Sequence, residues 1–143
     1  MKRLGLAIGD TVGAVAIDKK GGLAAATSTG GIWLKISGRI GDTPIPGAGF
    51  YADRNIACSA TGIGETIMTI SLCRSIGLHY RYLRDIARAV EESFKELEDL
   101  FGVNTAGVII LTSDESYAAY YNTKGMARAI YSKNLVKPIA RIF

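Results

Sequence analysis

The sequence contains little of several residue types, and each shortage excludes a class of protein. Its 143 residues include three prolines, two cysteines and one histidine. Cys58 and Cys73 are too few for the disulfide framework of a small secreted domain, and neither lies in a CxxC pair or beside a histidine at metal-ligand spacing. A histidine-based metal site or a Ser-His-Asp triad would depend on His79 alone. We therefore expect two buried free thiols and a packed, non-catalytic imidazole.

Long hydrophobic runs are also missing. No stretch approaches the roughly 18 apolar residues that a membrane helix requires, and the hydrophobic part of MKRLGLAIGD is too short for a secretory signal. With 48% hydrophobic residues the chain is not disordered. A folded chain of this length buries roughly two-thirds of its unfolded surface. Composition alone predicts one soluble, cytoplasmic domain that has no membrane partner.

The hydrophobic pattern predicts strands, then two helices, then strands. The strands are predicted at residues 12–17, 23–27, 32–36, 56–61, 106–112, 117–122 and 127–132, and the helices at 65–80 and 84–101. A turn at Lys19-Lys20-Gly21-Gly22 joins the first two strands. The predicted strands between residues 12 and 61 are rich in small side chains, which let another layer pack closely, so we expect these strands in the middle of the molecule. The order is typical of an α+β fold, and neither a Gly-x-Gly-x-x-Gly nor a Walker motif is present.

Glycine is in surplus, and most of the 17 glycines lie in the first half of the chain. They flank four polar motifs, which are GDTVG at 9–13, TSTGG at 27–31, GRIGDTPIPGAG at 38–49 and TGIGE at 61–65. Each motif alone could be a turn between strands. Together, in this order and at this spacing, they resemble the C-terminal half of the N-terminal-nucleophile (Ntn) hydrolases of the plant-type asparaginase and isoaspartyl peptidase family, to which the glycosylasparaginases are related. The segment NTKGM at 122–126 is similar to a late motif of the family.

The resemblance implies half of a four-layer αββα sandwich, in which residues 11–143 form the half that carries the nucleophile. Residues 1–10 would be a linker remnant, or a tail, that self-cleavage removes. The family's first half is not within this chain, so the α-subunit half is the implied partner, in an (αβ)₂ heterotetramer. No cofactor is implied. The family's structural sodium ion lies in the first half, so no metal ligand is assigned to this chain.

Thr11 corresponds to the family's nucleophile. A threonine hydroxyl is a weak nucleophile near neutral pH and needs a base, which the α-amine of an N-terminal threonine can supply. Inside a chain that nitrogen is an amide and cannot accept the proton. The resemblance therefore implies cleavage between Asp10 and Thr11, in which the Thr11 hydroxyl attacks the Asp10 carbonyl and water opens the resulting ester.

Three further residues match the family's substrate-binding positions. Arg39 corresponds to the arginine that holds the substrate α-carboxylate, a task suited to the bidentate guanidinium. Asp42 corresponds to the carboxylate that pairs with the α-ammonium, and Gly64 to the carbonyl that binds the same amine. Without the resemblance, Arg39 and Asp42 would be an exposed ion pair of little energetic value.

The remaining catalytic positions are Thr29, Thr61 and Gly62. Thr29 matches the second threonine that supports Thr11; otherwise its hydroxyl would satisfy a buried turn. The Thr61 hydroxyl and the Gly62 N–H match the oxyanion hole. Because a strand ends there and a helix begins at Glu65, N–H groups and the positive end of the helix dipole should point at developing negative charge.

The implied activity is hydrolysis of L-asparagine, β-aspartyl peptides or both by an N-terminal threonine. Two alternatives stay open, a glycosylasparaginase that hydrolyses N4-(β-N-acetylglucosaminyl)-asparagine and an inactive half that only binds a partner. A nucleic-acid binder is a weaker rival, because a net charge of +4 is modest. The basic residues that suggest it are Arg128, Lys133, Lys137 and Arg141.

Overall fold

The structure, a computed structural model, describes residues 10–142, so the first nine residues of the tail predicted at 1–10, and Phe143, lie outside it. Strands, three helices and strands make an α+β fold, as predicted. The elements are β1 (Thr11–Ile17), β2 (Leu23–Thr29), β3 (Phe50–Ala52), β4 (Ile56–Gly62), α1 (Gly64–Thr69), α2 (Leu72–Leu83), α3 (Ile86–Phe101), β5 (Ala106–Thr112), β6 (Tyr117–Tyr121), β7 (Arg128–Ile130) and β8 (Ile139–Arg141). Within residues 10–142, the helices are too short or too polar to span a bilayer.

Strands β1 and β2 form an antiparallel hairpin in which Thr11 pairs with Thr29. The predicted turn is confirmed, because the Asp18 carboxylate accepts hydrogen bonds from the backbone N–H groups of Lys20 and Gly22, at 2.7 and 2.8 Å. Gly21 has a φ of 82° there, a conformation that glycine adopts without a steric penalty. The turn therefore fixes the register that sets Thr11 beside Thr29.

The main sheet is antiparallel, with strand order β3-β4-β5-β6. Its strand β4 is almost completely buried, and the hairpin packs against it. An ideal Cβ on Gly13 would overlap the Ser59 side chain, so the absence of a side chain permits this close approach. The central position predicted from small side chains is thus confirmed for β4. In the described chain, however, β1 and β2 keep one face exposed.

The single helix predicted at 65–80 is wrong, since the chain forms α1 and α2 with a break at Ser71, whose φ is 50°. The cause is a tertiary contact. The N–H groups of Cys73 and Arg74 donate to the carbonyls of Ala48 and Gly47, at 3.3 and 2.8 Å, instead of continuing the helix. Helix α3 ends at Phe101 as predicted, and Asp85 caps its start by accepting from the Arg88 N–H.

Two differences concern strands. Residues 32–36 were predicted as a strand but form a loop, in which Leu34 is 97% exposed with a φ of 57°. Among residues 10–142, no strand pairs with this segment. Conversely, the three-residue strands β3 and β8 carry too short a pattern to be predicted and exist only because they pair with β4 and β7.

The core lies between the main sheet and the helices, and it includes both cysteines. Cys58 on β4 and Cys73 on α2 are free and fully buried, as predicted, but the fold also brings their Sγ atoms to 2.7 Å. Burial raises the pKa of Cys73 well above its usual range. The His79 imidazole is packed as expected, with its Nδ1 2.9 Å from the Ser93 hydroxyl.

Candidate active site

The three residues predicted to bind the substrate head group lie together. Arg39 and Asp42 belong to the loop between β2 and β3, and Gly64 is the first residue of α1. An ideal Cβ on Gly64 would lie 2.9 Å from Asp42 Oδ1 and 3.0 Å from Arg39 Nη2, so a side chain at this position would force these groups to move. The Thr27 hydroxyl donates to the Thr43 carbonyl at 2.9 Å and ties the loop to β2.

Arg39 makes a bidentate ion pair with Glu65, a residue that the sequence analysis left without a role. Its Nε and Nη2 donate to the two Glu65 carboxylate oxygens at 2.8 and 2.9 Å. This hydrogen bond lowers the pKa of Glu65 and raises that of Arg39. Arg39 therefore pairs with Glu65 and not with Asp42, the ion pair expected if the family resemblance is set aside. The only sequence signal for Glu65 was its position in the TGIGE motif.

Asp42 is the most unusual carboxylate of the described chain. Its side chain is 6% exposed, and Oδ2 has no hydrogen-bond partner among residues 10–142. Burial raises the pKa of Asp42, although the charge of the nearby Arg39 lowers it. A buried oxygen without a donor is costly and calls for an explanation. A cationic ligand group that donates to Oδ2 would supply one.

At the other end of the site, Thr29 contacts the peptide bond that precedes Thr11. Its hydroxyl donates to the Asp10 carbonyl at 2.6 Å, and the Gly31 N–H donates to the same hydroxyl oxygen at 3.0 Å. The Gly31 amide occupies a lone pair of that oxygen and so directs the hydroxyl hydrogen towards Asp10. The turn is exposed and not buried as the alternative interpretation expected, and the hydroxyl donates to the carbonyl at the predicted cleavage site.

One cleft of about 360 Å³ extends from Thr29 to Arg39, and neither Asp42 nor Gly64 belongs to its lining. Thr29, Lys35, Arg39 and Thr43 all line it, and its size lies in the range of small-molecule sites. A second, more open depression of about 450 Å³ lies beside His79 on α2 and α3, away from every predicted site residue. Within residues 10–142, no three His, Cys, Asp or Glu side chains are close enough to hold a metal ion.

The oxyanion candidates Thr61 and Gly62 end strand β4, two residues before Gly64. Gly62 has a φ of 141°, and a Cβ there would overlap the Thr105 carbonyl, so the position requires glycine. No hydrogen bond within residues 10–142 joins Thr61 or Gly62 to Thr11. Because α1 has only six residues, its dipole is weaker than that of the long helix predicted from the sequence.

Asn122, which begins the late motif NTKGM, holds the backbone opposite Gly62. Its Oδ1 accepts from the N–H groups of Thr105 and Ala106 at 2.9 and 3.0 Å, and its Nδ2 donates to Glu98 at 3.1 Å. The Thr105 carbonyl in turn accepts from the Ile63 N–H at 2.8 Å. Asn122 therefore positions the start of β5, which in turn holds the backbone beside Gly62. The motif alone did not indicate this role.

Comparison with known proteins gives consistent results. A family model described as asparaginase matches residues 2–140. A plant-type L-asparaginase of Pyrobaculum calidifontis is 50% identical over 120 residues, which are 83% of this chain and 40% of that protein. A plant-type L-asparaginase of Pyrococcus furiosus is 39% identical over 132 residues, 92% of this chain and 43% of the relative. An isoaspartyl peptidase/L-asparaginase of Xenopus laevis is 42% identical over 120 residues, 83% of this chain and 38% of the relative. The chain thus spans about two-fifths of the length of the relatives it matches.

Proposed function

Because this chain belongs to the asparaginase family, we propose that it is the nucleophile-bearing half of a hydrolase that releases L-aspartate from L-asparagine and β-aspartyl peptides. One observation carries the proposal, the hydrogen bond from the Thr29 hydroxyl to the Asp10 carbonyl at 2.6 Å. This hydrogen bond polarises the Asp10 carbonyl, whose bond to the Thr11 nitrogen must break before Thr11 becomes N-terminal. The names of the relatives favour this activity over that of a glycosylasparaginase.

Self-cleavage would begin at Thr11. Its hydroxyl oxygen attacks the Asp10 carbonyl carbon, the C–N bond breaks, and the hydroxyl proton passes to the departing nitrogen. Asp10 is then held to Thr11 as an ester. Water opens this ester, which restores the hydroxyl and leaves Thr11 with a free α-amine. Thr29 stabilises the negative charge that develops on the Asp10 oxygen during the attack.

Substrate hydrolysis follows the same chemistry. The freed α-amine of Thr11 takes the hydroxyl proton while Oγ1 attacks the β-carbonyl carbon of the substrate. The proton is passed to the leaving nitrogen as the C–N bond breaks, which releases ammonia or an amino acid. Water then hydrolyses the aspartyl ester and releases aspartate. Thr61 and Gly62 are proposed to stabilise the oxyanion in both steps.

The head group of the substrate is an α-ammonium beside an α-carboxylate. We assign the ammonium to the unpartnered Oδ2 of Asp42 and to the Gly64 carbonyl, and the carboxylate to Arg39. The Asp42 assignment has the firmer support, because Oδ2 is buried without a partner and the other carboxylate oxygen, Oδ1, lies beside Gly64. A positive ligand group would restore its hydrogen bonding and favour its charged form.

The enzyme would need its first half for activity. The matched segment is 40% of the Pyrobaculum relative, which leaves more than half of that protein without a counterpart here. The hairpin also exposes an apolar face of small residues, which are Val12, Ala14, Ala16, Ala24 and Ala26. Val12 is 72% exposed. An α-subunit half covering this face, in an (αβ)₂ heterotetramer, is the proposed assembly, and a cytoplasmic location stays a prediction.

Mass spectrometry of the purified chains, combined with kinetics, tests the proposal. We expect a new N-terminus at Thr11 in active enzyme, and hydrolysis of asparagine and a β-aspartyl dipeptide. Thr11→Ala should abolish cleavage and lower kcat by about 10⁴-fold or more. Thr11→Ser, which keeps a hydroxyl, serves as the matched control and should still cleave itself. Fully active enzyme with Thr11 internal would disprove the mechanism, and activity on glycosyl-asparagine alone would disprove the substrate.

A further inference from the structure

Lys35 is a cation of the cleft that the proposed mechanism does not use. It lies in the exposed loop 32–36 and lines the same cleft as Thr29 and Arg39. Its Nζ donates to the Gly30 carbonyl at 2.8 Å and packs over the backbone of Gly31. No carboxylate of residues 10–142 forms an ion pair with it, whereas Arg39 is already paired with Glu65.

The position of Lys35 relates it to the reacting bond. Its ammonium group contacts the turn at residues 29–31. In the same turn, the Thr29 hydroxyl donates to the Asp10 carbonyl. The head-group residues Arg39 and Asp42 lie towards Gly64. Under the proposed function, a substrate whose head group is bound there would present its β-carbonyl to Thr11, beside Thr29, and its leaving group would extend towards the turn that Lys35 covers.

The two proposed substrates release different leaving groups near Lys35. Asparagine releases ammonia, which offers nothing to a cation. A β-aspartyl dipeptide releases an amino acid whose α-carboxylate lies one carbon beyond the leaving nitrogen. We propose that Lys35 binds this carboxylate and makes the cleft selective for β-aspartyl dipeptides with a free C-terminus. This inference rests on the proposed function and adds a leaving-group subsite to it.

The test compares three substrates in the complete enzyme, which contains the first-half sequence as well as this chain. They are asparagine, β-aspartyl-leucine and β-aspartyl-leucine amide, which lacks the carboxylate. Lys35→Gln should lower kcat/KM for β-aspartyl-leucine about three- to tenfold, as for a partly exposed charged hydrogen bond. The values for asparagine and the amide should not change. Raised ionic strength should weaken the preference of the unmodified enzyme for the free acid over the amide.

Two further variants decide the interpretation. Lys35→Arg keeps the charge and should retain most of the preference for the free acid, and Lys19→Gln, in the exposed hairpin turn, should leave all three values unchanged. An equal loss on all three substrates after Lys35→Gln would overturn the proposal, because Lys35 would then only brace the turn. No loss on the free acid would also overturn it. An unmodified enzyme that hydrolyses none of the substrates would refute the proposed function itself, and the subsite with it.

Discussion

The two ends of the candidate site are built in different ways. At the head-group end, Arg39 and Asp42 lie so close to Gly64 that a Cβ on that glycine would be within about 3 Å of both, and Asp42 is buried. At the nucleophile end, a single exposed hydrogen bond joins Thr29 to the Asp10 carbonyl, and Thr11 is still in a continuous chain. The residues of the proposed recognition site are therefore already assembled in the uncleaved chain, whereas the proposed catalysis requires a covalent change.

This difference separates the effects that substitutions should have. A change at the head-group end should alter substrate affinity and leave self-cleavage intact, because cleavage needs no substrate. A change at the nucleophile end should alter cleavage first and hydrolysis as a consequence. Measuring both reactions for each variant shows whether the two ends act independently.

Apart from loss of the nucleophile itself, the largest effect is expected from Asp42→Asn. This change removes the charge assigned to the substrate ammonium, and kcat/KM should fall about 10²- to 10³-fold, mainly through KM, as when one partner of a buried charge pair is removed. The rate of self-cleavage, measured by intact mass, should not change. Loss of both reactions together would show that Asp42 supports the fold of the whole cleft.

The pH dependence sharpens the same prediction. Burial raises the pKa of Asp42 above its ordinary value of 3.8, and the substrate needs the charged form. kcat/KM should therefore decrease as the pH falls through that raised pKa. In the enzyme–substrate complex the ammonium lowers the pKa again, so the corresponding decrease in kcat should occur at lower pH. Coincident limbs in the two profiles would contradict a contact between Asp42 and the ammonium.

A smaller effect, on self-cleavage, is expected from Thr29→Val. Valine keeps the shape but cannot donate to the Asp10 carbonyl, so the cleavage rate should fall about 10²-fold, as when one oxyanion donor is removed. Thr29→Ser retains the hydroxyl and is the control. Time courses of the precursor mass give the rates. Cleavage of the valine variant at the unmodified rate would show that the hydrogen bond has no part in the reaction.

The smallest effect is expected from Glu65→Gln. The neutral amide can no longer hold the Arg39 guanidinium by a charged bidentate pair, so KM for asparagine should rise about five- to tenfold with little change in kcat. The Glu65 side chain is 55% exposed, so thermal unfolding should be nearly unaffected. A lower KM would instead mean that Glu65 competes with the substrate carboxylate for Arg39.

Much of the secondary structure was predictable because its causes are local. The hairpin turn at Gly21, the continuous apolar run of β5 and the apolar stripe of α3 each depend on residues close together in the sequence. The break at Ser71 was not predictable, because it arises where carbonyls of the loop at Gly47 take the hydrogen bonds of α2. The missed strands β3 and β8 have the same kind of cause, since pairing with a distant strand defines them.

The sequence by itself determined the family resemblance, the α+β order of elements and the types of side chain that the chemistry needs, because motif spacing and residue chemistry do not depend on the fold. Only the tertiary structure decided which groups meet. It paired Arg39 with Glu65, left Asp42 Oδ2 without a partner and set the Thr29 hydroxyl on the Asp10 carbonyl. These contacts join residues 19 to 26 positions apart or depend on burial, and packing alone specifies such relations.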